Sequence, residues 1–171
     1  MLHIPSSIIQ DIIAHARELA PNECCGILSG KKETVVESYR ITNILATMSQ
    51  QELSRFEGAK LSDLQRLSPE ERADIAFQMD SKEYGEAQRN IRLNNQDFLG
   101  FYHSHPKSPA RPSDTDITMA MEYESFRKKM MNGPLPFHLI VSLTDAENPV
   151  IRAYRIQDSQ TTEVTIQQHL S

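Results

Sequence analysis

The chain has 171 residues, 39% of them hydrophobic, and a formal net charge of −5. This size fits one globular domain, residues 1–171, with a proper core. An acidic chain without a basic stripe is not expected to bind nucleic acid. No window approaches the roughly 18 apolar residues of a membrane span. The two cysteines, Cys24 and Cys25, are adjacent, so they do not suit a disulfide framework, and a reducing cytoplasm is expected.

Helical and extended patterns alternate along the chain. A stripe of isoleucines predicts an amphipathic helix over residues 6–20, and Pro21 ends it. Further helices are predicted over residues 81–94 and from residue 113 or 114 to residue 130. Strands are predicted over residues 24–29, 34–41, 98–103, 137–143, 150–156 and 162–166. The alternation favours an α/β (α+β) fold in which a sheet is flanked by helices.

Residues 45–76 differ from the rest of the chain because they are polar and lack a strand pattern. Ser68 is followed by Pro69, Glu70 and Glu71, which combines a cap, a proline at the first helical position and a glutamate at the third. We expect one or two short helices in this segment.

The most informative run is HSHPKSPARPSDTD, from His103 to Asp116. His103 and His105 end an apolar run and would project from the same side of an extended strand. Asp116 can close the third corner of a tetrahedral site, whose fourth position is left to water, as in catalytic zinc. The same ligand set could hold iron for oxygen chemistry. Ser113 and Asp116 also fit a capping-box-like helix start.

These residues resemble the signature of the JAMM (MPN-plus) metallopeptidases, which is an upstream Glu, then His-x-His, seven residues, Ser, two residues and Asp. The matching positions in this chain are held by His103, His105, Ser113 and Asp116. Residues 21–28 resemble the start of the family's first core strand, which makes Glu23 the matching glutamate. Other positions similar to bacterial and archaeal members are Asn43, Phe77, Met79 and Asp80.

The resemblance implies a JAMM/MPN-like mixed sheet flanked by helices, similar in outline to cytidine deaminase. Residues 45–76 look like an insertion relative to the family's compact core. One Zn²⁺ ion would be held by His103, His105 and Asp116. Glu23 would carry the proton during amide hydrolysis, and the Ser113 hydroxyl would stabilise the oxyanion. The sequence does not identify substrate-binding residues. The remaining histidines have no companions at ligand spacing and are expected to be structural: His3, His15, His138 and His169.

Compact prokaryotic relatives of this kind cut after the C-terminal Gly-Gly of ubiquitin-like proteins, including sulfur carriers. The resemblance therefore implies a cytoplasmic zinc isopeptidase or peptidase with such a substrate and no membrane partner. Two alternatives stay open, a non-catalytic MPN-type interaction module and a JAMM-fold endopeptidase of a different substrate class. Residues 45–76 could recognise substrate, form a homodimer, cover the site as a lid, or be a solvated insertion without a role.

Overall fold

An eight-stranded mixed sheet organises the part of the chain that the computed structural model describes, which is residues 1–53, 64, 66–130 and 134–170. Its strands are β1 (Leu2–Pro5), β2 (Cys25–Lys31), β3 (Thr34–Ile41), β4 (Asp97–His105), β5 (Phe137–Ser142), β6 (Val150–Gln157), β7 (Gln160–Val164) and β8 (Ile166–His169). Its helices are α1 (Ser6–Leu19), α2 (Gln50–Leu53), α3 (Pro69–Ala73), α4 (Ser81–Leu93) and α5 (Asp114–Met130), with a 3-10 turn at Ile44–Ala46.

The strands follow the order β7-β6-β5-β4-β2-β3-β1-β8. β4 lies inside the sheet, antiparallel to β2 and parallel to β5. This arrangement confirms the predicted mixed sheet flanked by helices. Gly100 permits the close approach of β4 and β5, because a β-carbon there would lie 2.1 Å from the carbonyl oxygen of Phe137. The interior position of β4 means that neither of its backbone edges is open to a substrate strand.

Helices cover both faces of the sheet. On one face, Ile9 and Ile12 of α1 join a core cluster with Leu28 and Leu139. On the other face, α4 contributes Ile91 to a cluster that includes Ile27 and Phe101. The apolar stripe of α1 was readable from the sequence because isoleucines recur on one helical face. No described helix is both long and apolar enough to cross a lipid bilayer.

The end of the chain differs from the prediction. The prediction of a single last strand over residues 162–166 is wrong, because β7 and β8 are separate strands with only Thr165 between them. β7 pairs with β6, whereas β8 pairs with β1 at the opposite end of the strand order. The sheet therefore curls until its two edges meet at Thr165, whose carbonyl oxygen accepts a hydrogen bond from the backbone N–H of Leu2 at 2.9 Å.

The described part of residues 45–76 packs around a small apolar cluster of its own. The cluster contains Leu45, Met48, Leu53, Ala73 and Ala76. Arg72 is 1% exposed, and its guanidinium donates hydrogen bonds to the backbone oxygens of Met48 and Leu64. Ser68 and Glu71 form the capping box that their sequence pattern predicts. Any further helix in residues 54–63 or at residue 65 lies outside the described residues.

Candidate active site

The two histidines of the His-x-His motif end β4 and lie on the same face of it. Both are buried, with His103 only 2% exposed. Their Nε2 atoms are 3.0 Å apart. Asp116, in the first turn of α5, places Oδ1 3.2 Å from Nε2 of His103 and Oδ2 3.2 Å from Nε2 of His105. The structure thus brings together the three residues that the sequence predicts as metal ligands.

The spacing of these donors fits a tetrahedral metal ion. Bonds of about 2.0–2.1 Å to a central zinc would place neighbouring ligand atoms about 3.3 Å apart. The carbonyl oxygen of Pro109 lies 2.9 Å from Nδ1 of His105 and can only accept a hydrogen bond. It therefore keeps a proton on Nδ1 and leaves Nε2 to face the other donors, as in many metal-ligating histidines. The residues present fit a metal such as zinc, and they form the only such His/Cys/Asp/Glu group found among the described residues.

The charge on Asp116 is stabilised by its surroundings. Burial alone would raise the pKa of this carboxyl, but attraction to His103 and hydrogen bonds from His103, His105 and Ser113 outweigh burial and hold its pKa well below the usual range. Ser113 donates to Asp116 Oδ2 from both its backbone N–H and its hydroxyl, each at 2.7 Å. Ser113 and Asp116 therefore form both the start of the helix and a part of the candidate site. The hydrogen bonds from Ser113 orient the Asp116 carboxylate.

Glu23 lies beside the histidines because of the register between β2 and β4. Cys25 pairs with His103, and the backbone N–H of Ser104 donates to the carbonyl oxygen of Cys24 at 3.1 Å. Continued by one more residue, this register places Glu23 opposite His105 and on the same face of the sheet. The structure therefore places the predicted glutamate near the predicted ligands.

The carboxyl of Glu23 is an unusual group for a protein interior. It is 4% exposed, and its buried Oε2 has no hydrogen-bond partner in the described part of the chain. Burial, followed by repulsion from Asp116 and Asp74, raises its pKa well above the ordinary value. A raised pKa suits a group that must both accept and release a proton near neutral pH. Glu23 borders a recess shared with Asn43, not the cavity that His103 lines.

Comparison with known proteins decides the family. Residues 5–157 match the family model described as prokaryotic homologs of the JAB domain. The chain belongs to this family. It is a hydrolase of the JAMM type, which confirms the resemblance that the sequence pattern indicated.

Two curated relatives and one solved structure illustrate the similarity. A CysO-cysteine peptidase of Mycobacterium tuberculosis (strain ATCC 25618 / H37Rv) is 25% identical over 163 residues, which cover 95% of this chain and 88% of the relative. A desampylase of Haloferax volcanii is 30% identical over 121 residues, covering 67% of this chain and 69% of the relative. The solution structure of a Desulfitobacterium hafniense protein has a TM-score of 0.70 and 28% identity, with 100% and 94% of the two chains covered.

Asn43 fixes the backbone around Glu23. Its Nδ2 donates to the carbonyl oxygens of Glu23 at 3.0 Å and Ala76 at 3.1 Å. Its Oδ1 accepts from the backbone N–H groups of Leu45 at 3.2 Å and Gln78 at 3.1 Å. The sequence marked Asn43 as similar to the family but assigned it no role. The structure shows a buried amide that ties three separate segments together.

Replacing Asn43 with alanine is expected to destabilise the protein by about 3 kcal/mol, because the substitution leaves several buried backbone groups without a partner. Urea denaturation of the metal-free protein measures this change. The exposed Asn90 on α4 provides the matched control, and Asn90→Ala should change stability by less than about 0.5 kcal/mol. Equal stability of the two variants would contradict the role of Asn43.

The end of the 45–76 segment contacts the candidate site. The backbone N–H of Glu23 donates to the carbonyl oxygen of Ala73 at 2.7 Å. Lys107, in the loop after the histidines, forms an ion pair with Asp74. Phe77 lies against the ring of His103, with ring centroids 4.9 Å apart. The contacts of Ala73 and Asp74 join the end of residues 45–76 to this region, and sequence spacing could not reveal them.

His138 is a further residue whose place the sequence did not indicate. It lies on β5, where the parallel register pairs it with Phe101 of β4 and so puts it on the same sheet face as His103. The prediction that His138 is only structural rested on the absence of a nearby companion in sequence. The residues beside it, Phe101 and His103, belong to another strand, and local sequence spacing does not show that proximity.

Proposed function

We propose that this chain is a zinc peptidase that hydrolyses the amide bond after the C-terminal Gly-Gly of a ubiquitin-like or sulfur-carrier protein. The observation that carries the proposal is the convergence of His103, His105 and Asp116 beside the buried carboxyl of Glu23. The relatives named as a CysO-cysteine peptidase and a desampylase support a substrate of this class.

His103 and His105, through their Nε2 atoms, and Asp116, through its carboxylate, would hold the metal. Zinc in a site of this kind supplies a Lewis acid and lowers the pKa of water to about 7. The protein's part is to keep the three donors in place. Ser113 orients the Asp116 carboxylate, and the Pro109 carbonyl orients the His105 ring.

Glu23 is the proposed proton carrier. Its carboxylate takes a proton from the water that attacks the scissile carbonyl, and it returns that proton to the amine nitrogen as the carbon–nitrogen bond breaks. Burial and neighbouring carboxylates raise its pKa, which makes it a stronger base for the first transfer than an exposed glutamate. The products are a free carboxyl at the glycine end and a free amine, with no covalent enzyme intermediate.

Ser113 is proposed to stabilise the oxyanion of the tetrahedral intermediate. In the structure its hydroxyl donates to Asp116, and so does its backbone N–H. Because the N–H keeps Asp116 in place, the hydroxyl can rotate toward the substrate without releasing the carboxylate. A donor in this role contributes about 3 kcal/mol in other hydrolases.

The segment around Phe77 is a suitable surface for an extended Gly-Gly tail. The backbone of Gln78 faces residues 42–44. Its carbonyl oxygen accepts a hydrogen bond from the Ile44 N–H at 2.9 Å. Backbone groups alternate between the two sides of an extended segment, so those of Phe77 and Met79 point away from residues 42–44. Because Phe77 contacts His103, a tail paired with this side would run toward the proposed metal ligands.

Cleavage of a fusion protein tests the proposed function. We expect zinc-loaded protein to release a reporter joined to a ubiquitin-like protein through a Gly-Gly tail, and to leave a matched Ala-Ala tail intact. Chelation of the metal should stop cleavage, and zinc should restore it. Binding of the Gly-Gly fusion without cleavage, at full zinc occupancy, would overturn the peptidase proposal and favour an interaction module.

A further inference from the structure

A cavity of about 360 Å³ opens beside the metal ligands His103 and Asp116. It lies between α4 and α5, against the face of the sheet that carries the histidines. Most of its wall is apolar and comes from Phe77, Met79, Tyr84, Phe101, Met119 and Tyr123. Its volume is in the range of pockets that bind small molecules or side chains, roughly 300–1,000 Å³. A Gly-Gly tail has no side chain that could fill it.

His138 is the imidazole in the wall of this cavity that belongs to no metal-donor group. It is 7% exposed, and its side chain lines the cavity. Its ring lies 5.7 Å from the ring of Phe101. Burial, together with repulsion from His103, lowers its pKa to about 4. A neutral ring of this kind offers one hydrogen-bond donor and one acceptor.

We propose that this cavity is a specificity subsite for a large apolar side chain of the substrate, and that His138 is a positioning residue that hydrogen-bonds the substrate backbone there. The inference rests on the proposed peptidase function. Aromatic and methionine walls favour an apolar side chain, because its burial removes apolar surface from water. The peptide groups that enter with it need a hydrogen-bond partner in such surroundings. His138 is a buried polar group of the wall that can provide one.

The large side chain can belong to either side of the scissile bond, upstream of the Gly-Gly or in the released part. Four capped peptides separate these sources: Leu-Gly-Gly, Ala-Gly-Gly, Gly-Gly-Leu and Gly-Gly-Ala. Each is titrated into metal-free protein that carries ¹³C-labelled methionine methyl groups. Met79 and Met119 line the cavity, whereas Met48 lies in the separate cluster of residues 45–76.

We expect one leucine peptide to shift the methyl signals of Met79 and Met119, leaving Met48 unchanged, with binding about tenfold tighter than that of its alanine counterpart. Equal responses to leucine and alanine, or no response at Met79 and Met119, would overturn the subsite. The experiment needs no turnover. A failure of cleavage would therefore contradict the proposed function without affecting this binding result. A failure of leucine binding would contradict the subsite without affecting the cleavage test.

The role of His138 is tested by kinetics on Gly-Gly fusions that carry the favoured leucine or alanine. His138→Phe should lower kcat/KM for the leucine fusion about tenfold through KM, and His138→Gln should restore most of the loss, because glutamine keeps a donor and an acceptor. Zinc content should not change. A glutamine variant as impaired as the phenylalanine variant, or equal losses on both fusions, would overturn the role.

A second pair of variants tests the cavity even where His138→Phe does not fold. Met119 lines the cavity, and Met121 lies two residues later on α5 and does not line it. Met119→Ala is expected to reduce the preference for leucine over alanine about tenfold, and Met121→Ala to leave it within about twofold. Equal effects of the two substitutions would overturn the subsite.

Discussion

Replacing Glu23 with glutamine is expected to remove most turnover while making the metal-free protein more stable. Loss of a general acid–base group lowers the rate by about 10²–10⁴-fold. The same carboxyl is costly to the fold, because it is buried with one oxygen unpaired. Glutamine has nearly the same shape and carries no charge, so the gain in the free energy of unfolding is expected to be about 1–3 kcal/mol at neutral pH.

The pH dependence of this gain follows from the direction of the pKa shift. Burial raises the pKa of Glu23 in the folded protein, so the folded state holds the proton more tightly than the unfolded state does. Below the unfolded pKa of about 4.3 both states are protonated, and Glu23 costs nothing. Wild-type stability is then lost as the pH rises through the folded pKa. The advantage of Glu23→Gln should grow across that window and stay constant above it.

Urea denaturation of chelator-treated protein from about pH 4 to about pH 8 measures this gain. Glu86→Gln, at an exposed position of α4, is the control and should change stability little at any pH. Zinc content of the loaded Glu23→Gln protein should equal that of the wild type. A variant that keeps full activity would contradict the proton-carrier role, and one that is less stable at neutral pH would contradict the cost of the buried carboxyl.

The grouping of His103, His105 and Asp116 was predictable because their arrangement is encoded locally. Two histidines one residue apart on a strand must share a face, and a helix that begins nine residues after His105 brings Asp116 to them. Glu23 needed the family resemblance, since nothing in its neighbourhood distinguishes it from a surface glutamate. Its position beside His105 depends on the antiparallel register of β2 and β4, which the structure supplies.

Features that depend on contacts between distant segments could not be predicted. Three of the four hydrogen bonds of Asn43 join segments that are about twenty to thirty-five residues apart. β1 was missed because four residues carry too little periodicity to indicate a strand. β8 was not predicted as a separate strand, because no composition signal marks the point where the chain stops pairing with β6 and begins to pair with β1. The position of His138 likewise follows from the β4–β5 register alone.

Replacing His105 with alanine is expected to eliminate stoichiometric zinc binding and, with it, the stabilisation that zinc adds to the fold. Catalytic zinc sites use three protein ligands, and this substitution leaves only His103 and Asp116. At a free zinc concentration of 100 times Kd, binding adds about 2.7 kcal/mol to the stability of the folded state. Wild type should therefore show a higher Tm with zinc than with chelator, whereas His105→Ala should show the same Tm in both.

His138→Ala provides the matched control, because His138 is also buried on the same face of the sheet but lies outside the donor group. It should bind one zinc per chain and keep the zinc-dependent rise in Tm. Zinc content by atomic absorption and Tm by calorimetry are measured for both variants. Full zinc in His105→Ala would place the metal elsewhere and contradict the proposed mechanism. Loss of zinc in His138→Ala would make His138 a ligand, and its role as a substrate-positioning residue would then be wrong.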